Sequence, residues 1–101
     1  MKIHILGPSG AGTTTLGKAI AAELVIKHFD SDDFFWAKTK IPFTRKREKD
    51  DRIRLLKKAL SGYKSWVLRG SMLGWGDFLL PEIDLIIYLY VPKNIREVLK
   101  T

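Results

Sequence analysis

The sequence segment that decides the fold covers residues 7–15 and consists of Gly7-Pro8-Ser9-Gly10-Ala11-Gly12-Thr13-Thr14-Thr15. A short β-branched run at residues 2–6 precedes it and predicts a buried strand, and residues 14–24 have the apolar spacing of an amphipathic helix. Gly7 and Gly12 are separated as in the motif Gly, four residues, Gly-Lys-Ser/Thr, whose backbone amides surround a phosphate. A strand, this loop and a helix in succession therefore predict a phosphate-binding loop.

The segment departs from that motif at one position, since Thr13 stands where the motif has its lysine. Thr14 stands where the motif has the hydroxyl that binds magnesium. A neutral threonine cannot supply the positive charge that the lysine directs at the outer phosphates. The alternative interpretation is a glycine-rich turn whose threonines cap an ordinary helix. The phosphate-binding prediction covers Gly7, Ser9, Gly10, Ala11, Gly12, Thr13, Thr14 and Thr15.

Strands and helices alternate along the rest of the chain. Apolar runs and helical spacing predict strands at residues 25–29, 65–69 and 85–91, and helices at residues 47–60 and 94–100. This alternation favours an α/β protein whose parallel sheet is built from right-handed βαβ units. With 101 residues, of which 46% are hydrophobic, the chain fits one domain that covers residues 1–101.

The composition excludes several classes of protein. The chain has no cysteine, which excludes disulfides, thiolate metal sites and cysteine nucleophiles. Its 18 Lys and Arg against 11 Asp and Glu give a formal net charge of +7, which favours anionic partners such as nucleotides or nucleic acid. The longest apolar run, residues 85–91, is far shorter than the ~20 residues of a membrane-spanning helix. Because the amino terminus also lacks a signal-peptide pattern, we predict a cytoplasmic protein that does not associate with membranes.

Motifs spread over nearly the whole chain occur together in one known group of proteins. They are Gly-Ala-Gly-Thr-Thr-Thr-Leu at 10–16, Asp-x-Asp-Asp-x-Phe-Trp at 30–36, Pro-Phe-Thr at 42–44, Trp-Val-Leu-x-Gly-Ser at 66–71, Gly-Trp-Gly-Asp at 74–77 and Leu-Tyr-Val-Pro at 89–92. With these motifs the chain resembles the small P-loop kinases of the adenylate-kinase and shikimate-kinase superfamily. Within it, the chain resembles most the bacterial DNA topology modulation, or adenylate-kinase-related, proteins. The resemblance implies a three-layer P-loop NTPase fold with a parallel sheet in the strand order 2-3-1-4.

The same resemblance implies a nucleotide-binding protein that transfers a phosphoryl group from ATP, with Mg²⁺, to a small hydroxyl- or phosphate-bearing acceptor. In shikimate-kinase-like proteins an Asp-x-Asp at this place holds magnesium through water and orients the acceptor hydroxyl. By that resemblance Asp30 and Thr14 are metal-side candidates, Asp30 and Asp32 are catalytic candidates, and Asp32 is the base. The acceptor-binding candidates are Asp33, Arg45, Arg47, Arg69 and Gly70.

Two of these assignments have alternatives. The aspartates of residues 30–33 also suit a solvated turn in which they cap the segment that follows. Arg69 ends a predicted strand beside Gly70, and its guanidinium also suits a partial replacement for the charge missing at Thr13.

Ten of the 18 basic residues lie between Lys38 and Lys58. They suit an anionic acceptor, or alternatively the phosphates of a nucleic acid whose bases would stack on the aromatic residues at 34–36. A third interpretation is a solvated helix with internal ion pairs, next to aromatic residues that belong to the core. The second hypothesis for function is therefore a non-catalytic protein that binds nucleotides or nucleic acid.

The chain also departs from the resembling kinases at its carboxyl end. Those kinases continue past the helix that begins at Asn94, through an arginine-bearing lid, an adenine-contacting loop and a fifth strand. Since this sequence ends at Thr101, we expect a carboxyl-terminally shortened fold and an incomplete phosphoryl-transfer site. The apolar strand at 85–91 would then form an exposed edge, through which we expect the chain to self-associate, most simply as a homodimer.

Overall fold

The structure, a computed structural model, describes residues 1–8, 12–37, 39–41, 44–72 and 74–90. These described residues form four strands and three α-helices, with a 3₁₀ helix before the last strand. In chain order the elements are β1 (Lys2–Leu6), α1 (Thr13–Leu24), β2 (Lys27–Asp30), α2 (Asp32–Phe35), α3 (Lys49–Ser61), β3 (Trp66–Arg69), the 3₁₀ helix (Asp77–Glu82) and β4 (Leu85–Tyr88).

The four strands form one parallel sheet in the order β2-β3-β1-β4, which confirms the predicted fold class and strand order. β1 pairs with β3 on one side and with β4 on the other. The register places Arg69 at the end of β3 opposite Ile5 of β1 and Asp30 of β2. The residues that follow β1, β2 and β3 therefore meet at one edge of the sheet, where α/β proteins bind their ligands.

Alternate side chains of the sheet enter two separate cores. Val67 packs with Ile3 and Ile5 of β1 and with Ala21 of α1. Its neighbours in β3 point the opposite way, into a core built with α3 and the 3₁₀ helix: Leu56, Leu60, Trp66, Leu68, Met72, Trp75 and Leu79. Helices therefore pack on both faces of the sheet, which gives the fold its three layers. Each fully buried apolar side chain in these cores contributes about 1.5–3 kcal/mol.

The predicted strand at 25–29 is wrong at its beginning. Val25 ends α1 in the left-handed conformation, with a φ of 56°, and its side chain is 88% exposed. Its amide donates to carbonyls of the last helical turn, so β2 begins only at Lys27. The apolar pair at 25–26 resembles a strand in sequence, but the helix end uses Val25 as its cap.

Other boundaries also differ from the predictions. α2 and the 3₁₀ helix were not predicted, and α3 begins at Lys49 rather than at residue 47. β4 ends at Tyr88, although the amide of Leu89 still donates to the carbonyl of Leu6 at 2.8 Å. The end of the predicted strand at Val91 and the predicted helix at 94–100 lie outside the described residues.

β4 lies at an edge of the described sheet, as predicted. Leu85, Ile86 and Tyr88 are all exposed there, while Ile87 is partly buried against the core of α1. Self-association through this edge stays a prediction. None of the helices in the described ranges is both long and apolar enough to cross a membrane.

Candidate functional site

The loop between β1 and α1 contains two glycines, and each is required for a different reason. Gly12 has a φ of 83°, in the left-handed region that favours glycine, and α1 begins directly after it. Gly7 has no space for a side chain, since a Cβ there would lie 2.9 Å from Cγ2 of Thr13. Thr13 is buried, Thr14 is partly buried and Thr15 is exposed. Three predicted phosphate-binding residues lie outside the described ranges: Ser9, Gly10 and Ala11.

An open cleft of about 580 Å³, which we call the loop cleft, lies beside this loop. Residues from the ends of β1, β2 and β3 share it with the start of α1 and with α2. They are Gly7, Pro8, Gly12, Thr13, Thr14, Ser31, Asp32, Phe35, Trp36, Arg69, Gly70, Ser71 and Trp75. The structure thus brings Asp32, Arg69 and Gly70 into one space with four of the predicted loop residues: Gly7, Gly12, Thr13 and Thr14. Thr15 does not line it.

The aspartates after β2 have distinct surroundings. Asp30 accepts the backbone N–H of Asp32 on Oδ1 at 2.9 Å, which closes a local turn and starts α2. The Asp32 side chain is 51% exposed and lines the loop cleft. Asp33 is also exposed, but it does not line the loop cleft. The two catalytic candidates are therefore adjacent, but only Asp32 faces the loop.

Arg69 connects the ends of β2 and β3. Its Nη1 donates to both carboxylate oxygens of Asp30 at 3.0 Å and lies 3.6 Å from Oδ2 of Asp32. The side chains of Arg69 and Asp30 are only 20% and 25% exposed, so this ion pair is partly shielded from water. The strand register makes the contact possible, since it sets Asp30 directly opposite Arg69 across the sheet. The predicted role of Asp30 toward magnesium stays a prediction.

Gly70, directly after β3, contacts three residues from other parts of the chain: Ser31, Ile5 and His4. Its φ is 105°, and a Cβ would lie 2.1 Å from the hydroxyl of Ser31, so only glycine fits. Its amide donates to the carbonyl of Ile5 at 2.9 Å. Its own carbonyl accepts from Nε2 of the buried His4 at 2.8 Å, which defines the tautomer of that ring. Burial lowers the pKa of His4, and the bond to Gly70 opposes that shift.

The second histidine, His28, lies on β2 against α1. Its ring leaves no space for a side chain at Gly17, where a Cβ would be 2.9 Å from Nε2 of His28. Burial is the largest influence and lowers its pKa, while the nearby Asp30 carboxylate opposes the shift. Neither histidine lines the loop cleft.

A larger cleft of about 890 Å³, which we call the helix cleft, lies between α2 and α3. Its walls combine apolar side chains with carboxylates and cations: Asp32, Asp33, Phe34, Trp36, Ala37, Thr39, Arg47, Leu55, Lys58 and Ala59. Asp32 and Trp36 line both clefts, so the two spaces adjoin at α2. The positive side of the helix cleft comes from Arg47 and Lys58.

The backbone of Arg47 is held firmly at this cleft. Its amide donates to the carbonyl of Phe35 at 2.8 Å, and its carbonyl accepts from Nε of Arg52 at 2.8 Å. Nε of Arg47 is buried and has no hydrogen-bond partner among the described residues. Arg45, the other predicted acceptor contact of this segment, is exposed and lines neither cleft.

Several other basic residues cover aromatic rings of the core. The guanidinium of Arg52 lies 4.1 Å from the ring centre of Phe35, and the ammonium of Lys57 lies 5.0 Å from that of Phe78. Phe34 and Phe35 pack against the core of α3, which agrees with their interpretation as packing residues.

Comparison with curated proteins finds relatives over nearly the whole chain. The chain is 45% identical over 94 residues to the uncharacterized protein YqaC of Bacillus subtilis (strain 168), covering 93% of this chain and 51% of YqaC. It is 30% identical over 107 residues to a cytidylate kinase of Archaeoglobus fulgidus, covering 95% of this chain and 58% of that protein. The chain thus spans about half the length of the curated relatives it matches. No protein-family model matches it.

Solved structures share the arrangement of the sheet. A shikimate kinase from Acinetobacter baumannii in complex with shikimate gives a TM-score of 0.60 at 22% identity, over 94% of this chain and 59% of that one. An unliganded sugar kinase from Janibacter sp. HTCC2649 gives a TM-score of 0.60 at 18% identity, over 98% of this chain and 65% of that one. The chain has the P-loop kinase fold.

In the P-loop kinase fold of this chain, the predicted site falls into two parts. The loop cleft contains Thr13, Thr14, Asp32, Arg69 and Gly70, and the helix cleft contains Asp32 again with two acceptor candidates, Asp33 and Arg47. The binding roles of these residues remain predictions. So does membership in the DNA topology modulation group, because YqaC is itself uncharacterized.

Sequence reasoning missed two residues of this P-loop kinase fold. Lys58 was interpreted as part of a solvated helix face, yet it lines the helix cleft with Leu55 and Ala59. Their spacing of three and four residues, which sets them on one helical face, was the available signal. Ser31 was passed over between two aspartates, although it is buried against Gly70 and lines the loop cleft.

Proposed function

We propose that this protein is a kinase that holds ATP in the loop cleft and transfers its γ-phosphoryl group to an acceptor in the helix cleft. The observation that supports this proposal best is the position of Asp32, which lines both clefts. An acceptor oxygen would form a bond to the γ-phosphorus while the bond from that phosphorus to the β–γ bridging oxygen breaks and ADP leaves. Asp32 would take the proton of an acceptor hydroxyl.

The loop residues would bind the phosphates through the backbone. Gly7 and Gly12 let the chain approach a phosphate closely, and the amides at the beginning of α1 add a partial positive charge. Thr14 would add its hydroxyl. These contacts do not depend on a lysine, so nucleotide binding is compatible with Thr13 in that position.

The donors of the loop cleft fit a magnesium ion. Thr14 and Asp32 both offer oxygen atoms there, and Mg²⁺ prefers oxygen ligands and keeps several of its waters. Asp30 is less available, since both its oxygens lie 3.0 Å from Nη1 of Arg69. The described residues contain no group of three or more acidic, histidine or cysteine side chains suited to a metal, so the nucleotide's phosphates would complete the shell. When bound, the ion neutralises charge on the β- and γ-phosphates.

The helix cleft favours an acceptor that has both an apolar body and an anionic group. Phe34, Leu55 and Ala59 form an apolar wall, and Arg47 and Lys58 add two positive charges. A phosphate or carboxylate on the acceptor would pair with these cations. Asp32 lies at the boundary with the loop cleft, so the hydroxyl or phosphate that receives the phosphoryl group would point that way.

Calorimetry with ATP and ADP, with and without Mg²⁺, tests the binding half of the proposal on the 101-residue chain. Absence of binding to a folded sample at low salt and millimolar nucleotide would show it to be wrong. Release of ADP in the presence of nucleoside monophosphates, small sugars and shikimate tests the transfer half. Asp32→Asn should lower transfer by about 10²-fold or more, while ATP affinity measured without Mg²⁺ stays within about threefold.

Asp50→Asn is the matched control for that variant, since Asp50 is likewise an exposed carboxylate in the first turn of a helix but lines neither cleft. It removes the same charge and should lower transfer far less. Equal losses in the two variants would mean that net charge, rather than a base at Asp32, explains the effect.

A second candidate is non-catalytic binding of nucleotides or nucleic acid, the hypothesis that the DNA topology modulation group suggests. Thr13 at the lysine position favours it, and so do the exposed basic residues of α3, Lys49, Arg54, Lys57 and Lys58. Affinity for a nucleic acid should fall steeply with salt concentration. Binding in the loop cleft should depend instead on Gly12, and substitution there should abolish it.

A further inference from the structure

The loop cleft contains one positive side chain among its described lining residues, and that side chain belongs to Arg69. Thr13, at the position of the motif's lysine, contributes only a buried hydroxyl. A triphosphate has up to four negative charges, and backbone dipoles alone compensate them less well than a cation at short range. We propose that Arg69 binds the outer phosphates of the nucleotide and supplies the charge that Thr13 lacks, an inference that rests on the proposed function.

The fold holds Arg69 next to the loop from both sides. β3 lies between β1 and β2, so Arg69 has Ile5, near the end of the loop strand, as one neighbour and Asp30 as the other. The carbonyl of Arg69 accepts the amide of Ser31 at 2.9 Å, which ties the two strand ends together. The base of the side chain therefore has a defined position at the same edge of the sheet as Gly7 and Thr14.

The guanidinium retains donors for a ligand. Nη1 is used by Asp30, whereas Nε is buried and has no partner among the described residues. A buried N–H without a partner is costly, and a phosphate oxygen would remove that cost once the guanidinium turned Nε toward the loop cleft. Two parallel N–H donors are also the geometry in which arginine binds phosphate best.

Asp30 orients Arg69 in the absence of a ligand. Both carboxylate oxygens of Asp30 accept hydrogen bonds from Nη1 of Arg69 at 3.0 Å. The backbone amide of Asp32 also donates to this carboxylate, at 2.9 Å. The ion pair keeps a long side chain in one place, but it also reduces the charge that a phosphate experiences. If Arg69 contacts the phosphates, removal of its side chain should therefore weaken ATP binding, whereas neutralisation of Asp30 should not.

The alternative is a purely structural Arg69 that only holds the aspartate-rich turn. In that case Arg69→Ala and Asp30→Asn break the same contact and should change ATP affinity in the same direction. If Arg69 binds phosphate, Arg69→Ala should weaken ATP binding by about tenfold or more, whereas Asp30→Asn should leave it unchanged or tighten it. Calorimetry with ATP in EDTA keeps any role of Asp30 toward magnesium out of the measurement.

Two further measurements separate phosphate binding from general effects. Adenosine affinity should not change in Arg69→Ala, because adenosine has no phosphate. Arg69→Lys should weaken ATP binding less than Arg69→Ala does, since it keeps the charge but lacks the two parallel donors. Arg54→Ala is the control for net charge: Arg54 is exposed on α3, lines neither cleft, and its removal should leave ATP affinity within about twofold.

A lysine introduced at residue 13 provides a rescue experiment. In Arg69→Ala, adding Thr13→Lys should tighten ATP binding by about tenfold, because it restores a cation beside the same phosphates. In the otherwise unchanged chain the same substitution should tighten binding by less than about threefold, since Arg69 already serves. Equal gains in the two backgrounds would contradict the proposal.

The possible outcomes are distinct. Failure of the unaltered chain to bind ATP would overturn the proposed function itself. ATP binding that Arg69→Ala leaves within threefold would overturn the role of Arg69 and leave the proposed function standing. If circular dichroism shows that Arg69→Ala does not fold, Asp30→Asn decides. Loss of ATP affinity in Asp30→Asn would then show a structural role only, whereas unchanged or tighter binding supports phosphate binding by Arg69.

Discussion

β3 and β4 are the two strands that pair with β1, and they differ sharply in burial. Both run parallel to β1 over a register of four residues. In β3, Trp66, Val67 and Leu68 are 0–1% exposed. In β4, Leu85 and Ile86 are 44% and 51% exposed, although these side chains are equally apolar.

The difference arises from what lies next to each strand. β3 has strands on both sides and a helical layer on each face, so successive side chains enter two cores. β4 has a strand on one side only among the described residues, and of its four residues Ile87 alone packs against a core. Apolar content therefore predicts a strand, whereas burial depends on neighbours distant in sequence. The four predictions that follow test this comparison.

The largest expected effect is from truncating the buried strand. Leu68→Ala should lower the free energy of unfolding by about 2–5 kcal/mol, because it leaves a cavity in the core shared with α3. Ile86→Ala is the matched control and should cost about 1 kcal/mol or less. Urea denaturation measures both. An equally large loss for Ile86→Ala would mean that β4 is covered in solution.

A methyl group at the end of β3 should also be costly. Gly70→Ala would combine a positive φ of 105° with a Cβ placed 2.1 Å from the Ser31 hydroxyl, and should cost about 2–4 kcal/mol. Gly74→Ala has the φ penalty, at 84°, but no atom within 4 Å of the new Cβ, and should cost about 1–2 kcal/mol. Thermal unfolding compares the two, and equal losses would show that packing against Ser31 has no weight.

The exposed edge of β4 should promote self-association. We expect the chain to sediment above 11.6 kDa at tens of micromolar, and Ile86→Lys to weaken that association by about tenfold or more, since a charge on an edge strand opposes pairing. Leu80→Lys is the control, because Leu80 is similarly exposed but lies in the 3₁₀ helix. A monomer of 11.6 kDa in the unaltered chain would refute the prediction.

The smallest effect concerns His4, whose ring bonds to Gly70 on the β3 side of β1. Burial lowers its folded-state pKa below 6.5, so the unfolded state binds the proton more readily. Stability from this group is fully present above about pH 6.5 and is lost as pH falls toward the folded pKa. His4→Gln should therefore reduce the fall in the urea midpoint between about pH 7 and pH 5.

His28 is shifted in the same direction and would retain part of that dependence, so His28→Gln serves as the comparison. A pH dependence that neither substitution changes would place its origin outside the two histidines.

The loop and the order of the sheet were predictable because their causes are local or topological. Gly12 is needed where the chain must adopt a positive φ before α1, and that requirement is visible in the adjacent residues. Right-handed connections between alternating strands and helices leave few arrangements, and the resemblance to P-loop kinases selected the one observed. Val25 shows the limit of such local prediction, since the same apolar residues can occur at the end of a helix or at the beginning of a strand.

The sequence by itself thus determined a phosphate-type loop with threonine in place of lysine, and a parallel α/β sheet. Only the tertiary structure decided that Asp30 pairs with Arg69, that Lys58 faces a cleft, and that the two clefts adjoin at Asp32. The physical reason is distance along the chain. Loop conformation depends on neighbouring residues, whereas the pairing of residues 30 and 69, 39 positions apart, depends on the register between β2 and β3.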